Sequence, residues 1–258
     1  WNMPPSNPSS PSVMASAAAE KNNYPDMIDL SIGDTDFTTD ERIIRAAMAD
    51  AKAGHTHYTD PQGDPELIGA IRQFYAAEYH MPLEKEQVFV TASSCFGMAL
   101  ALLTLLDPGD EVILFSPYFS PYKEQVELAG GTAVEVPTFE ADGFGIDPAR
   151  LEAAITPRTK ALILNNPCNP TGAAYDLDTY RAIAAAAKMH DLVVLADEIY
   201  TDYMYETGFL PLRGLPGMAK RTVTLNSFSK NYLMTGWRIG HIIAEPPIVA
   251  AMKRVNEN

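Results

Sequence analysis

The feature that most constrains this chain is an alternation that begins near residue 88 and runs to its end. Short apolar runs at 88–90, 111–115, 132–136, 161–164, 192–196, 222–225 and 237–243 read as strands. Helical patterns at 96–106, up to 127, 148–155, 178–189 and 248–255 lie between or after them, and two amphipathic helices at 40–53 and 64–79 precede them. Runs this short and this continuously apolar suit strands covered on both faces, and their alternation with helices predicts an α/β three-layer sandwich with a mainly parallel sheet.

In such sheets ligands bind outside the carboxyl ends of the strands. The run at 161–164 leads into Asn165-Asn166-Pro167-Cys168-Asn169-Pro170-Thr171-Gly172. The run at 192–196 leads into Asp197-Glu198-Ile199-Tyr200, and that at 222–225 into Asn226-Ser227-Phe228-Ser229-Lys230. Three strand ends thus deliver an amide, a carboxylate with a phenol, and hydroxyls with an amine. This convergence marks the expected site.

Composition narrows the function further. Asp and Glu outnumber Lys and Arg 33 to 19, for a formal charge of −14. Such a surface argues against nucleic acid or an anionic membrane as the main partner, but not against a small anion held in a local cationic pocket. No apolar run approaches the length of a membrane span, and the Pro-, Ser- and Asn-rich start lacks the layout of a signal peptide. Cys95 and Cys168 form no metal-ligand spacing, and no metal site is expected; His55 and His57 read as loop residues. These features suit a reduced, cytoplasmic protein. Ser227-x-x-Lys230 also matches the S-x-x-K pattern of penicillin-binding proteins, but the S-D-N and K-T-G strings of that class do not occur.

The ordered set NNPCNPTG, ADEIYTDY and SFSKNYLMTGWRIG resembles the pyridoxal-phosphate enzymes of fold type I, specifically the class I/II, aspartate aminotransferase-like enzymes. DLSIGDTDF, HYTDPQGDPEL, LLDPGDEVIL and SPYFSPY extend the resemblance from about residue 25 to the end. It implies pyridoxal 5'-phosphate as cofactor, transamination between an L-amino acid and a 2-oxo acid, and a homodimer with shared active sites.

The resemblance also implies a role for each residue. Lys230 would form the Schiff base with the cofactor and then move the substrate Cα proton. Asp197 would pair with the pyridine nitrogen and keep the ring able to accept carbanion charge; by itself it could equally be a helix N-cap. Tyr200 and Asn169 would bond the ring 3-oxygen, and Asn169 would also border the substrate. Ser227, Ser229 and Arg238 would hold the phosphate, together with Ser94 and Cys95 at the start of a helix. Relatives often carry Gly in that turn, so Cys95 is expected to contribute its backbone. Phe119 would stack on the ring, Tyr58 would reach the phosphate of the neighbouring subunit, and Gly33 would lie close to the substrate at the end of a strand within 28–33.

The expected organisation is a tail at 1–24, a lead-in from the small domain at 25–45, the cofactor-binding domain at 46–245, and the start of a connecting helix at 246–258. The arginine that holds the substrate carboxylate in this family has no match here, since Arg254 does not fit its motif. Two alternatives share the resemblance: a carbon–sulfur β-lyase, and a non-catalytic ligand-sensing module. The latter would need a DNA-binding segment, and no basic helix-turn-helix pattern precedes residue 25. An aspartate or aromatic donor with 2-oxoglutarate as acceptor is expected by analogy.

Overall fold

A computed structural model describes residues 32–206 and 208–257, with residues 23, 24, 26 and 28 besides. The chain divides into two units, Trp1–Phe37 and Thr38–Asn258. In the first, the described hydrogen bonds are local: Thr35 N–H donates to Asp34 Oδ1, and Thr35 Oγ1 to the Phe37 carbonyl. Most of the strand expected at 28–33 lies outside the described residues, and residues 32 and 33 have no regular structure.

The second unit contains seven strands in one sheet. They are β1 (Val88–Thr91), β2 (Glu111–Ser116), β3 (Thr132–Pro137), β4 (Thr159–Asn165), β5 (Val193–Asp197), β6 (Thr222–Ser227) and β7 (Gly240–Ile243). Their spatial order is β1-β7-β6-β5-β4-β2-β3. Neighbours from β6 to β3 pair in parallel, while β7 runs antiparallel to both β6 and β1.

The helices are α1 (Glu41–Lys52), α2 (Pro65–Glu78), α3 (Ser94–Leu105), α4 (Pro121–Leu128), α5 (Pro148–Ala154), α6 (Leu177–Met189) and α7 (Pro246–Asn256). Their starts follow local chemistry. Asp64, Asp147 and Asp176 cap α2, α5 and α6 with side-chain oxygens, and Pro at the first turn of α2 and α5 pre-sets the helical φ.

Burial explains the layering. Val112, Leu114, Ala161, Ile163 and Leu195 point to one face of the sheet, with Met98 and Leu102 of α3, Val126 of α4, and Val249 and Met252 of α7. The alternate residues Ile113, Phe115, Leu162, Leu164 and Val194 point to the other, with Leu151 of α5 and Ile183 of α6. A period of two in strands apolar on both faces forces this three-layer arrangement. Ile68, Ile71 and Tyr75 of α2 cover the β1–β7 end with Val88 and Ile243.

One expected element is shorter than its apolar run. The strand expected at 237–243 begins only at Gly240, because Thr235–Trp237 forms a 3-10 turn and Arg238 adopts a left-handed φ of 56°. Helix α3 starts two residues before the expected 96 because Ser93 caps it, accepting from Phe96 N–H at 3.1 Å.

Candidate active site

The sheet order places β4, β5 and β6 side by side, so their carboxyl ends converge as three neighbouring loops. Asn165 at the end of β4 is in register with Asp197 at the end of β5, and Glu198 N–H donates to the Leu225 carbonyl of β6 at 2.9 Å. No helix begins at Asp197, since the following 3-10 turn, Thr201–Tyr203, starts from Tyr200. A capping role for Asp197 is thereby removed.

Asp197 is 6% exposed. Its Oδ2 accepts from the Tyr122 hydroxyl at 2.6 Å, while its Oδ1 has no hydrogen-bond partner among the described residues. Burial pushes its pKa up to about 6, opposed by the Tyr122 hydroxyl and the Ile199 N–H, which favour the charged form. A buried carboxylate with one open oxygen is a site for a cationic donor.

Around it, the β4 loop folds back on itself. Asn169 N–H donates to Asn165 Oδ1 at 2.6 Å, and Asn165 Nδ2 donates to the Asp197 carbonyl at 3.0 Å. These bonds present the Asn169 amide to Tyr200, whose hydroxyl accepts from Asn169 Nδ2 at 3.4 Å. Burial and then the Asp197 charge push the Tyr200 phenol up, against the bond from Asn169. Asn169, Tyr200 and Asp197 therefore form one contiguous polar wall.

Ser227 ends β6, and Ser229 and Lys230 follow it. Both serines are buried, with Ser229 N–H donating to Ser227 Oγ at 3.3 Å, and Lys230 is half-buried. The chain returns to the sheet through residues 228–239, closed where Ser227 pairs with Gly240. Within that return, Trp237 Nε1 donates to Thr39 Oγ1 at 3.1 Å, and Thr39 Oγ1 donates to the Leu233 carbonyl at 2.5 Å. The Arg238 side chain is exposed and bonds the Thr235 carbonyl at 2.8 Å.

Opposite this return lies the start of α3, with Ser94 buried in its first turn. Backbone N–H groups there lack intrahelical acceptors and suit an anion. The thiol of Cys95 is engaged away from such a role: Gln125 Nε2 of α4 lies 3.3 Å from Sγ and 3.0 Å from the Cys95 carbonyl. Phe119, half-buried, meets Tyr122 edge to face at 5.5 Å. Tyr58 is fully exposed on this chain, and Gly33 belongs to the first unit and is exposed. Among the described residues no group of three or more His, Cys, Asp or Glu is placed to hold a metal ion, and no helix is long and apolar enough to cross a membrane.

A family model described as aminotransferase class I and II matches residues 25–258. The chain belongs to this family. It is 40% identical over 245 residues to an aspartate/prephenate aminotransferase of Thermus thermophilus, covering 95% of this chain and 63% of the relative. It is 37% identical to an arginine–pyruvate transaminase of Pseudomonas aeruginosa, covering 88% and 58%. The fold superposes on the Thermus thermophilus aspartate aminotransferase with maleate at a TM-score of 0.90, with 37% identity and coverage of 96% and 65%. An aromatic aminotransferase from Pyrococcus horikoshii gives 0.87 at 35% identity, with coverage of 93% and 65%. The chain thus spans about three fifths of the length of the curated relatives it matches.

The contacts of Tyr122 and Glu198 and the strained backbone of Ser93 escaped the sequence reading of this aminotransferase chain. Tyr122 lies in SPYFSPY, but nothing local ties it to a carboxylate 75 residues away. Glu198 is 2% exposed and accepts from Leu212 N–H at 3.0 Å; burial pushes its pKa up to about 8. Ser93, the α3 cap, sits at φ 143° and ψ 163°, where side-chain-bearing residues are strained. The neighbouring Gly240 was the available signal, since a glycine inside a strand often marks a close backbone approach.

Proposed function

We propose that this chain forms the cofactor-binding part of an aminotransferase that moves an amino group from an L-amino acid to a 2-oxo acid. Class I and II aminotransferases use pyridoxal 5'-phosphate. The observation that carries the proposal is Asp197: it is buried, anchored through Oδ2 by Tyr122, and left with an open Oδ1 at the convergence of three strand ends. A protonated ring nitrogen is the kind of donor that such an oxygen lacks.

When bound, the cofactor supplies an aldehyde and an electron-withdrawing ring that acidify the substrate Cα–H bond. Asp197 holds the proton on the ring nitrogen. Asn169 and Tyr200 would hydrogen-bond the ring 3-oxygen, and Phe119 would pack against the ring. Ser227, Ser229, Arg238, Ser94 and the backbone of Cys95 hold the phosphate. Lys230 would hold the cofactor through its amine and would supply the base that moves the substrate Cα proton. Asn169 would border the substrate. Tyr58 would serve the phosphate of a neighbouring subunit, which makes the working unit a homodimer; an acidic protein without metal-ligand or signal-peptide patterns suits the cytoplasm. Residues 46–245 form the cofactor domain, 25–45 lead in from the small domain, and 246–258 begin the helix that returns to it.

The donor class follows from the relatives' names only as far as an amino acid and an oxo acid; aspartate or an aromatic amino acid with 2-oxoglutarate is the first pair to try. The test is cofactor absorbance of the full-length protein, combined with a screen of amino donors. Donors should bleach the protein-bound band, and 2-oxo acids should restore it. No band would refute the cofactor reading. Release of ammonia and pyruvate from sulfur amino acids, without restoration by oxo acids, would replace transamination by β-elimination.

A further inference from the structure

We infer that Tyr122 is a positioning residue that acts through Asp197, holding the carboxylate in one orientation and tying it to the ring-covering Phe119. The inference rests on the cofactor reading given above and deepens it.

Tyr122 lies in the first turn of α4, is 3% exposed and packs with the core that includes Met98, Leu114, Ile163 and Leu195. Its ring is therefore fixed by packing, and its hydroxyl has one described acceptor, Asp197 Oδ2 at 2.6 Å. A short bond from an immobile donor to one carboxylate oxygen removes the rotational freedom of the other. Asp197 Oδ1 has no hydrogen-bond partner among the described residues and is thus left as the oxygen available to a ligand.

The same short segment supplies the aromatic of the proposed ring face. Phe119 precedes Tyr122 by three residues, and their rings meet edge to face at 5.5 Å and 80°. One rigid entry into α4 therefore sets both the plane that a ring must occupy and the orientation of the carboxylate that meets its nitrogen. Burial and the Asp197 charge both favour the protonated phenol, so Tyr122 remains a donor across the working pH range.

The experiment is a double-mutant cycle in the full-length protein between Tyr122→Phe and Asp197→Asn, read first as the dissociation constant for pyridoxal 5'-phosphate and second as kcat and KM. Tyr122→Phe alone should weaken cofactor binding about tenfold, the scale of one lost bond to a charged group. It should lower kcat with little change in KM. In the Asp197→Asn background the same change should cost less than twofold, because the group it acts through is gone. Additive losses would overturn the inference and leave Tyr122 a packing residue. Tyr122→His, which keeps a ring N–H donor, covers the case in which the phenylalanine variant does not fold; it should bind the cofactor more tightly than Tyr122→Leu, and equal losses would overturn the inference. If Asp197→Asn weakens binding and Tyr122→Phe does not, the inference alone fails. If the unmodified protein binds no pyridoxal 5'-phosphate, the functional reading fails with it.

Discussion

Ser93 and Gly240 meet backbone against backbone: a Cβ added to Gly240 would stand 2.7 Å from the Ser93 carbonyl carbon, 2.7 Å from Ser94 N and 2.9 Å from the Asn226 carbonyl oxygen. The start of α3 is thereby pressed against the β6–β7 pair, and the two halves of the proposed phosphate cup share one contact. The approach leaves no room for any side chain at 240, and it coincides with the strained backbone of Ser93.

Two substitutions at this contact should move stability in opposite directions. Strain in the region that Ser93 occupies is worth about 1–3 kcal/mol, and a serine-to-glycine change at an N-cap costs only about 0.3 kcal/mol. Ser93→Gly should therefore stabilise the full-length protein by about 1 kcal/mol in urea unfolding. Gly240→Ala must displace backbone atoms and should destabilise by about 2 kcal/mol or more, while weakening phosphate binding. A destabilised Ser93→Gly variant would show that the cap outweighs the strain.

Borohydride reduction of the cofactor-loaded protein, followed by peptide mass mapping, should place the label on Lys230. Lys230→Ala should abolish the label yet retain non-covalent cofactor binding. A label on any other lysine would end the assignment.

Buried titratable groups set a pH profile with two opposed arms. His241 is buried with Nδ1 unpartnered, and burial lowers its pKa to about 4. The unfolded chain takes up this proton first, so the His241 contribution falls as pH drops from about 6.5 to 4, offset over the same range by Glu198 and Asp197, whose raised values favour the folded state as pH drops. Glu198 behaves oppositely: its folded pKa is raised to about 8, so its stability contribution is complete below pH 4.5 and is lost as pH rises through 8. Between pH 6.5 and 8.5 the cofactor-free protein should lose stability, and Glu198→Gln should flatten that arm. An unchanged slope in the variant would show that Glu198 is ionised in the folded state.

Tyr58 offers a test of assembly. Its loop is rooted by the Asp60–Lys253 ion pair at 2.9 Å and by Gln62 Nε2 bonds to the Lys85 and Val88 carbonyls, while Tyr58 itself is fully exposed. If it reaches a neighbour's phosphate, Tyr58→Phe should weaken cofactor binding several-fold without altering monomer stability. A fully active monomer in sedimentation would contradict the shared-site reading.

The layered fold was legible in the sequence because strands buried on both faces leave continuous apolar runs. The place of the candidate site was legible because Asn169, Asp197 and Lys230 stand at or shortly after the ends of neighbouring strands. What escaped depends on distance along the chain: Tyr122 finds Asp197, and Thr39 finds Trp237 and Leu233, only after the sheet is assembled. The overlong strand at 237–243 had a related cause. Hydropathy cannot separate a buried strand from a 3-10 turn and a left-handed residue that lead into it.

The reversed direction of β7 has a consequence for how this chain can diverge. A parallel neighbour would have required a crossover of a dozen or more residues carrying its own helix. Instead residues 228–239 return directly, stapled where Ser227 pairs with Gly240 and Phe228 N–H meets the Ile239 carbonyl. Lys230 and Arg238 sit on the two limbs of that staple, so in the proposed site the loop would act as a ruler between amine and guanidinium. Its letters can change, but an inserted or deleted residue would alter the gauge itself, and such length changes should be far rarer here than in the exposed loops at the opposite edge of the sheet.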